Sequence, residues 1–220
     1  MSHSSNIARQ RAAGLREGGP AYLARRTQIK RAAARVFRLR GYRGTTLTHI
    51  AEEMGTDRAS LYYYVSGKQE LLEEMVSEAI GINLERAEAI RDGPGTGAER
   101  LRLIIRSLMG AYAEFYPVLY VLIGENLKYL EPERAEWVEQ TRRVVNAYEQ
   151  VIIDIVAAGQ RDGTIRDTTP AWLIAYGITG MVSWSNRWFR PEAREMPRAE
   201  EIGEAFAAMV LDGLRPTSGG

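Results

Sequence analysis

Apolar residues recur at helical spacing through most of the chain, and the pattern predicts helices throughout. In YLARRTQIKRAAARVFRLRG, Ile29, Ala33, Val36 and Phe37 share one side of a helix that Gly41 should end. TTLTHIAEEMG follows, with Thr46 placed as N-cap, Leu47, Ile50, Ala51 and Met54 on the apolar side and Gly55 as the stop. Asp57 can cap a short helix from Arg58 to about Tyr64, and Ser66 with Gln69 can form a capping box. That box would open a long helix, KQELLEEMVSEAIGINLERAEAI, which begins at Lys68. The Gly-Pro stretch RDGPGTGAER then reads as a hinge or boundary, and no strand precedes it to make a nucleotide-binding loop. Further helices are expected over Leu101–Phe115, over Val118–Leu130, and from Glu133 to about Gly159 with an apolar stripe that includes Trp137, Val144, Tyr148, Ile152 and Ile155. Thr168 or Thr169 should cap a nearly uncharged helix from Pro170 to Phe189, and RAEEIGEAFAAMVLDGL should form the last.

One short stretch, DRASLYYYVSGKQEL, resists explanation by core packing alone. Successive helical residues are ~100° apart, so Tyr62, Tyr63 and Tyr64 sweep roughly 200° of the axis and at least one ring must face outward. Leu61 and one ring, Tyr64 or part of Tyr62, should turn inward.

Charge changes the picture once it is divided along the chain. Met1–Arg43 carries 11 Lys and Arg against the single acid Glu17, whereas Gly44–Gly220 carries 18 against 27 Asp and Glu. The overall +1 therefore conceals +10 followed by −9. A basic end on an acidic body points to a polyanion partner for the first part and a separate task for the second, or else to a basic solvated tail.

Two short helices joined by a glycine-containing turn, with basic residues in front, form a helix-turn-helix pattern. TTLTHIAEEMGTDRASLYYYVSGKQELL resembles the DNA-binding segment of the TetR family of transcriptional regulators, and the resemblance is strongest from Ala33 to Met75. It rests on Phe37 and Gly41, the Thr-Thr pair, Ile50-Ala51, Gly55, Leu61-Tyr62, Lys68 and Leu71-Leu72. It implies a recognition helix at Arg58–Tyr64, with Tyr62 and Tyr63 on the DNA face. In the major groove Arg58 can bind guanine O6 and N7 bidentately, and the short side chains of Ala59 and Ser60 let the backbone approach the bases. Thr46, Thr48 and Lys68 suit phosphate, although Thr46 and Lys68 can equally serve only to cap and solvate their helices. His49 sits on the same surface, near phosphate or inert. SHSSNIARQRAAGLREGGPAYLARR reads as a disordered arm with Arg9, Arg11 and Arg16, either following DNA or merely flexible.

The expected fold is all-α. A disordered basic arm (1–22) precedes a three-helix helix-turn-helix DNA-binding domain (23–67). A larger helical ligand-binding and dimerisation domain (68–215) follows, with a disordered tail (216–220). Covering both of the last two helices within one subunit is difficult, so they should pair with a second copy. The family resemblance implies a homodimer through those helices, with two recognition helices on one palindromic double-stranded operator. Met109, Tyr112, Phe115, Tyr116, Tyr120, Tyr148, Tyr176, Met181 and Trp184 either are plain core or line an effector cavity. WSNRWFRP, residues 184–191, resembles a pattern of TetR members that control fatty-acid or sterol breakdown and respond to acyl-CoA thioesters. Arg187 and Arg190 can then pair with CoA phosphates beside Trp188, or else cap the helix end. Repression released by such an effector is the expected function; another hydrophobic ligand, a domain serving only assembly, and activation are the alternatives.

Other classes fare poorly. Cysteine is absent and His3 and His49 are the only histidines, so neither a zinc cluster nor a histidine-assisted nucleophile can be assembled. No cofactor, no metal and no enzymatic activity are expected. The longest uncharged stretch, Pro170–Asn186, is shorter than the ~20 apolar residues of a membrane span. A cytoplasmic location, with no membrane partner, is the expectation.

Overall fold

The computed structural model describes residues 19–124 and 134–214. All regular structure among them is helical, in two compact units that divide between Ser77 and Glu78. The division falls inside a helix, ten residues beyond the boundary expected at Lys68.

In the first unit, α1 (Pro20–Gly44) starts with proline in its first turn and is interrupted at Gly41, whose φ of 70° no longer permits helix. Residues 20–22, expected in the arm, are thus helical; residues 1–18 of that arm lie outside the described residues. α2 (Leu47–Glu53) is capped by Thr46, whose hydroxyl accepts from the His49 amide, while His49 Nδ1 accepts from the Thr46 amide. Gly55 at φ 61° closes the turn into α3 (Arg58–Tyr62), which has only five residues, two fewer than expected. Ile29, Val36, Phe37, Ile50, Leu61 and Leu71 are fully or almost fully buried and form the core of this unit.

α4 (Lys68–Arg91) opens with a cap that differs from expectation. Glu70, not Gln69, reaches back to Ser66, accepting from its amide at 2.7 Å and from its hydroxyl. A carboxylate makes the stronger acceptor at a helix N-terminus, which explains the choice. Across the unit, Arg26 of α1 is 5% exposed and donates to the Tyr64 carbonyl, to Glu74, and at 3.4 Å to Glu70. Burial raises the pKa of Glu74, and Arg26 opposes that rise.

The second unit takes the rest of α4 and adds α5 (Gly97–Glu114), α6 (Val118–Gly124), α7 (Ala135–Arg161), α8 (Ala171–Ser183) and α9 (Ala199–Leu214). α5 starts a turn earlier than expected because Thr96 and Glu99 form a capping box. The part of the expected sixth helix beyond Gly124 lies outside the described residues. α8 has no side-chain cap from Thr168 or Thr169; the Thr169 carbonyl instead accepts from Gln160 at 2.8 Å. It also ends at Ser183 rather than Phe189, giving way to a single 3₁₀ turn, Trp184–Arg187. That turn is pinned by buried Ser185, whose hydroxyl meets Tyr120 Oη at 2.9 Å.

Glycines allow two close helix crossings in this unit. α5 lies against α7 and α9. At one crossing, a Cβ on Gly97 would stand 2.1 Å from the Gly159 Cα; at the other, a Cβ on Gly203 would stand 3.0 Å from the Arg106 Cα. Such backbone contact cannot yield as a flexible side chain would. Gly97→Ala should therefore destabilise the C-terminal unit by about 1–3 kcal/mol, read as a lower midpoint in thermal or urea unfolding. An unchanged midpoint would mean that this crossing is not close.

Candidate nucleic-acid interface and effector cavity

The helix-turn-helix surface is built by its caps. Asp57 accepts from the Ser60 amide at 2.8 Å and from the Ser60 hydroxyl at 2.7 Å, fixing the first turn of α3. These hydrogen bonds to Ser60 hold the Asp57 pKa below the usual carboxylate value. Thr46, Thr48, Arg58, Ala59, Ser60 and Tyr63 are exposed, and Tyr62 is half-buried. The Arg58 guanidinium donates to the Tyr62 hydroxyl and lies over that ring, 5.2 Å from its centroid. This pairing holds arginine and phenol together on one exposed helix face.

The three tyrosines divide as the geometry of so short a helix requires. Leu61 is buried and Tyr64 is half-buried, its ring 5.1 Å from that of Tyr22. Tyr63 stands edge-on to both, at 5.8 Å from Tyr22 and 4.9 Å from Tyr64, with its outer face open. Tyr22 was invisible as a partner in the sequence because it lay in what read as the arm.

Lys68 occupies a different position from the one expected of a phosphate ligand. Its ammonium donates to the carbonyls of Tyr42, Arg43 and Thr45 at 2.9, 3.2 and 2.8 Å and lies over the Tyr42 ring at 4.7 Å. An ammonium has three donors, so all are occupied. Thr46 likewise uses its oxygen in the cap of α2, and His49 is its capping partner.

In the second unit a cavity of about 300 Å³ opens among α4 to α8. Of the eleven residues expected to line it, Tyr112 and Tyr148 do so. Met109 is fully buried core, and Phe115 lies under the Arg86 guanidinium, 5.9 Å from its ring centroid. Tyr116 packs edge-on to Tyr120, whose own ring lies 5.0 Å from Tyr112. Burial pushes the Tyr120 hydroxyl up to about 12, against the hydrogen bond it shares with Ser185. Met181 is partly exposed and lies outside the lining.

The remaining four sit on the outside. Tyr176 is 49% exposed, Trp184 59% and Trp188 40%, and exposed Arg187 stacks over Trp184 at 4.2 Å. Arg190 bonds the carbonyls of Phe189 and Asn186. Together with Trp172, Leu173 and Met209 these rings give α8, the turn after it and α9 an exposed apolar surface. The lining missed in the sequence includes Ile80 and Asn83 of α4, Val144 and Glu149 of α7, and Thr179 and Ser183 of α8. Asn83 carried a signal: it is the polar residue among Val76, Ala79, Ile80 and Ala87 on the buried side of α4.

Comparison with known proteins bears on both regions. Residues 29–75 match the model described as bacterial regulatory proteins, tetR family, and residues 94–214 match the tetracyclin repressor-like C-terminal domain. The chain belongs to the TetR family. Among curated relatives, the HTH-type transcriptional repressor KstR2 of Mycolicibacterium smegmatis is 24% identical over 195 residues, covering 89% of this chain and 93% of that one. Among solved structures, the ketosteroid transcriptional regulator KstR2 of Mycobacterium tuberculosis superposes with a TM-score of 0.76 at 23% identity, covering 87% and 95%. AibR, solved with isovaleryl coenzyme A and operator DNA, gives a TM-score of 0.67 at 23% identity, covering 84% and 97%. Among the described residues, no helix of this TetR-family protein is long and apolar enough to cross a membrane.

Arg58→Ala should relax sequence preference by about 1–3 kcal/mol at one base position, measured by competition among operator variants. Lys68→Met should instead lower the stability of the N-terminal unit by about 2 kcal/mol. It should leave the slope of log affinity against log salt unchanged, whereas a loss of ~1 in that slope would restore Lys68 to the phosphate backbone.

Proposed function

We propose that the protein is a dimeric transcriptional repressor that binds a palindromic operator through the exposed face of α3 and is released by a small apolar effector. The observation that carries the reading is the presence of two built sites in one chain, a capped helix-turn-helix with Arg58, Tyr62 and Tyr63 outward and an apolar cavity beside α4. Arg58 reads base edges, Tyr62 and Tyr63 contact sugar and phosphate, and Thr46 and Thr48 stand at the backbone. α4 supplies carboxylates to the first unit and cavity wall to the second, so it is the element through which an effector acts. Linkage requires only that the effector bind more tightly to the dimer whose recognition helices no longer match the operator.

The exposed rings of α8 and its following turn, with Met209 of α9, support dimerisation through the last two helices. Trp172, Tyr176, Trp184 and Trp188 all leave large aromatic rings exposed, as interaction surfaces do. Gly177 and Gly180 of α8 have open space before them and permit close approach of a second copy.

An acyl-CoA thioester from lipid or sterol breakdown is the proposed effector class, supported by the likeness to KstR2 and AibR and by the WSNRWFRP segment. The cavity is far too small for a nucleotide and takes the acyl part, leaving the CoA phosphates outside it, where the exposed cations Arg187 and Arg190 are the proposed partners. A hydrophobic effector without CoA is the second reading. It is favoured by the lining, which among the described residues has no Lys or Arg and one carboxylate, Glu149. Operator binding measured by fluorescence anisotropy with medium-chain and sterol-derived acyl-CoA esters separates the two. The thioester reading predicts at least tenfold weaker operator binding with one of these esters and no change with free CoA. No response to any ester would remove it and leave the DNA-binding reading in place.

A further inference from the structure

The cavity is apolar except at a few places, and three of those are internally satisfied. Thr179 Oγ1 donates to the Ala175 carbonyl at 3.0 Å, and the hydroxyls of Tyr112 and Ser183 meet at 3.1 Å. Two polar groups differ. Asn83 and Tyr148 are buried beside each other and line the cavity; the Asn83 side chain reaches the phenol oxygen, but Asn83 Oδ1 accepts from nothing and the Tyr148 hydroxyl makes no hydrogen bond of ordinary length and angle. Buried polar atoms left unpaired are costly and uncommon, and those that face a cavity mark where a ligand atom belongs. Desolvation raises the Tyr148 pKa, Tyr112 adds to the rise and neighbouring Asn83 opposes it, so the phenol remains a protonated donor at neutral pH.

We propose that Asn83 and Tyr148 form a polar pole within the effector cavity that reads a hydroxyl group on an otherwise apolar ligand. Resting on the cavity reading above, this names what the buried end of the effector carries. A hydroxyl donates to Asn83 Oδ1 and accepts from Tyr148 Oη–H, pairing both atoms at once. An ether or ketone only accepts and leaves Asn83 Oδ1 unpaired. A carboxylate meets that same acceptor and the Glu149 side chain in the same lining, whose pKa burial raises and for which no cation is in place among the described residues. An ammonium would have to leave water for a largely apolar wall. At ≈30 Å³ for each water-sized group, a cavity of about 300 Å³ holds roughly ten non-hydrogen atoms.

The test uses five probes of nearly equal length: 1-decanol, 1-methoxynonane, decane, decanoate and decylamine. Their binding to the full-length protein is measured by calorimetry and their effect on operator affinity by anisotropy. The expected result is at least about tenfold tighter binding of 1-decanol than of each of the others. Tyr148→Phe, which removes one atom, and Asn83→Leu should each abolish that preference while keeping the binding of decane. Equal affinity for 1-decanol and decane in the wild type would overturn the polar pole and leave the cavity reading standing. Tighter binding of decylamine or decanoate, or a preference for 1-decanol untouched by Tyr148→Phe and Asn83→Leu, would also overturn it. Binding of none of the five would overturn both the pole and the cavity reading.

Discussion

Arg26 can be buried in the small N-terminal unit only because the groups it loses in water are replaced inside the protein. The Tyr64 carbonyl, Glu74 and Glu70 surround its guanidinium and bind the end of the recognition helix to the first turns of α4. A five-residue helix has no stability of its own, since nucleation is unfavourable and few internal hydrogen bonds offset it. α3 persists because Asp57 fixes its start, Arg26 holds the carbonyl just past its end and Leu61 anchors it in the core. Lys68 does the same for α1, satisfying three carbonyls where Gly41 breaks the helix. Cations placed inward as fasteners thus free a different set, led by Arg58, to face outward.

That division marks where sequence reasoning stops. Helix starts and stops in the N-terminal unit were legible because each has a local cause: Thr46 and Asp57 as caps, Gly41 and Gly55 at positive φ. Arg26 and Lys68 were not, because a basic residue facing carbonyls across the fold looks the same in sequence as one facing phosphate. Ser66 could be recognised as a cap, but its partner moved from Gln69 to Glu70, a choice that acceptor strength decides and spacing does not.

The second unit shows the same limit for aromatic residues. Periodicity marks Tyr112, Tyr148, Tyr176 and Trp184 alike as apolar positions. Only tertiary packing separates the two that line the cavity from the two on the outer surface of α8 and its following turn. An uncharged helix announces that something must cover it, and α8 still leaves Trp172, Leu173 and Tyr176 exposed on the single chain. Asn83 shows the converse: a polar residue on a buried helix face was the most direct sequence signal for the cavity, and it lay on the connecting helix rather than among the aromatics.

The account stands on sequence-specific DNA recognition by the helix-turn-helix surface. The measurement that tests it most directly is capture of sheared genomic DNA from the source organism by the purified protein at moderate salt, with sequencing of what is retained. The account predicts a few enriched sites that share one palindrome, consistent with two copies of Arg58, Tyr62 and Tyr63 related by a two-fold axis. Retained fragments distributed as in the input would contradict it, leaving a basic surface that binds polyanions without reading them.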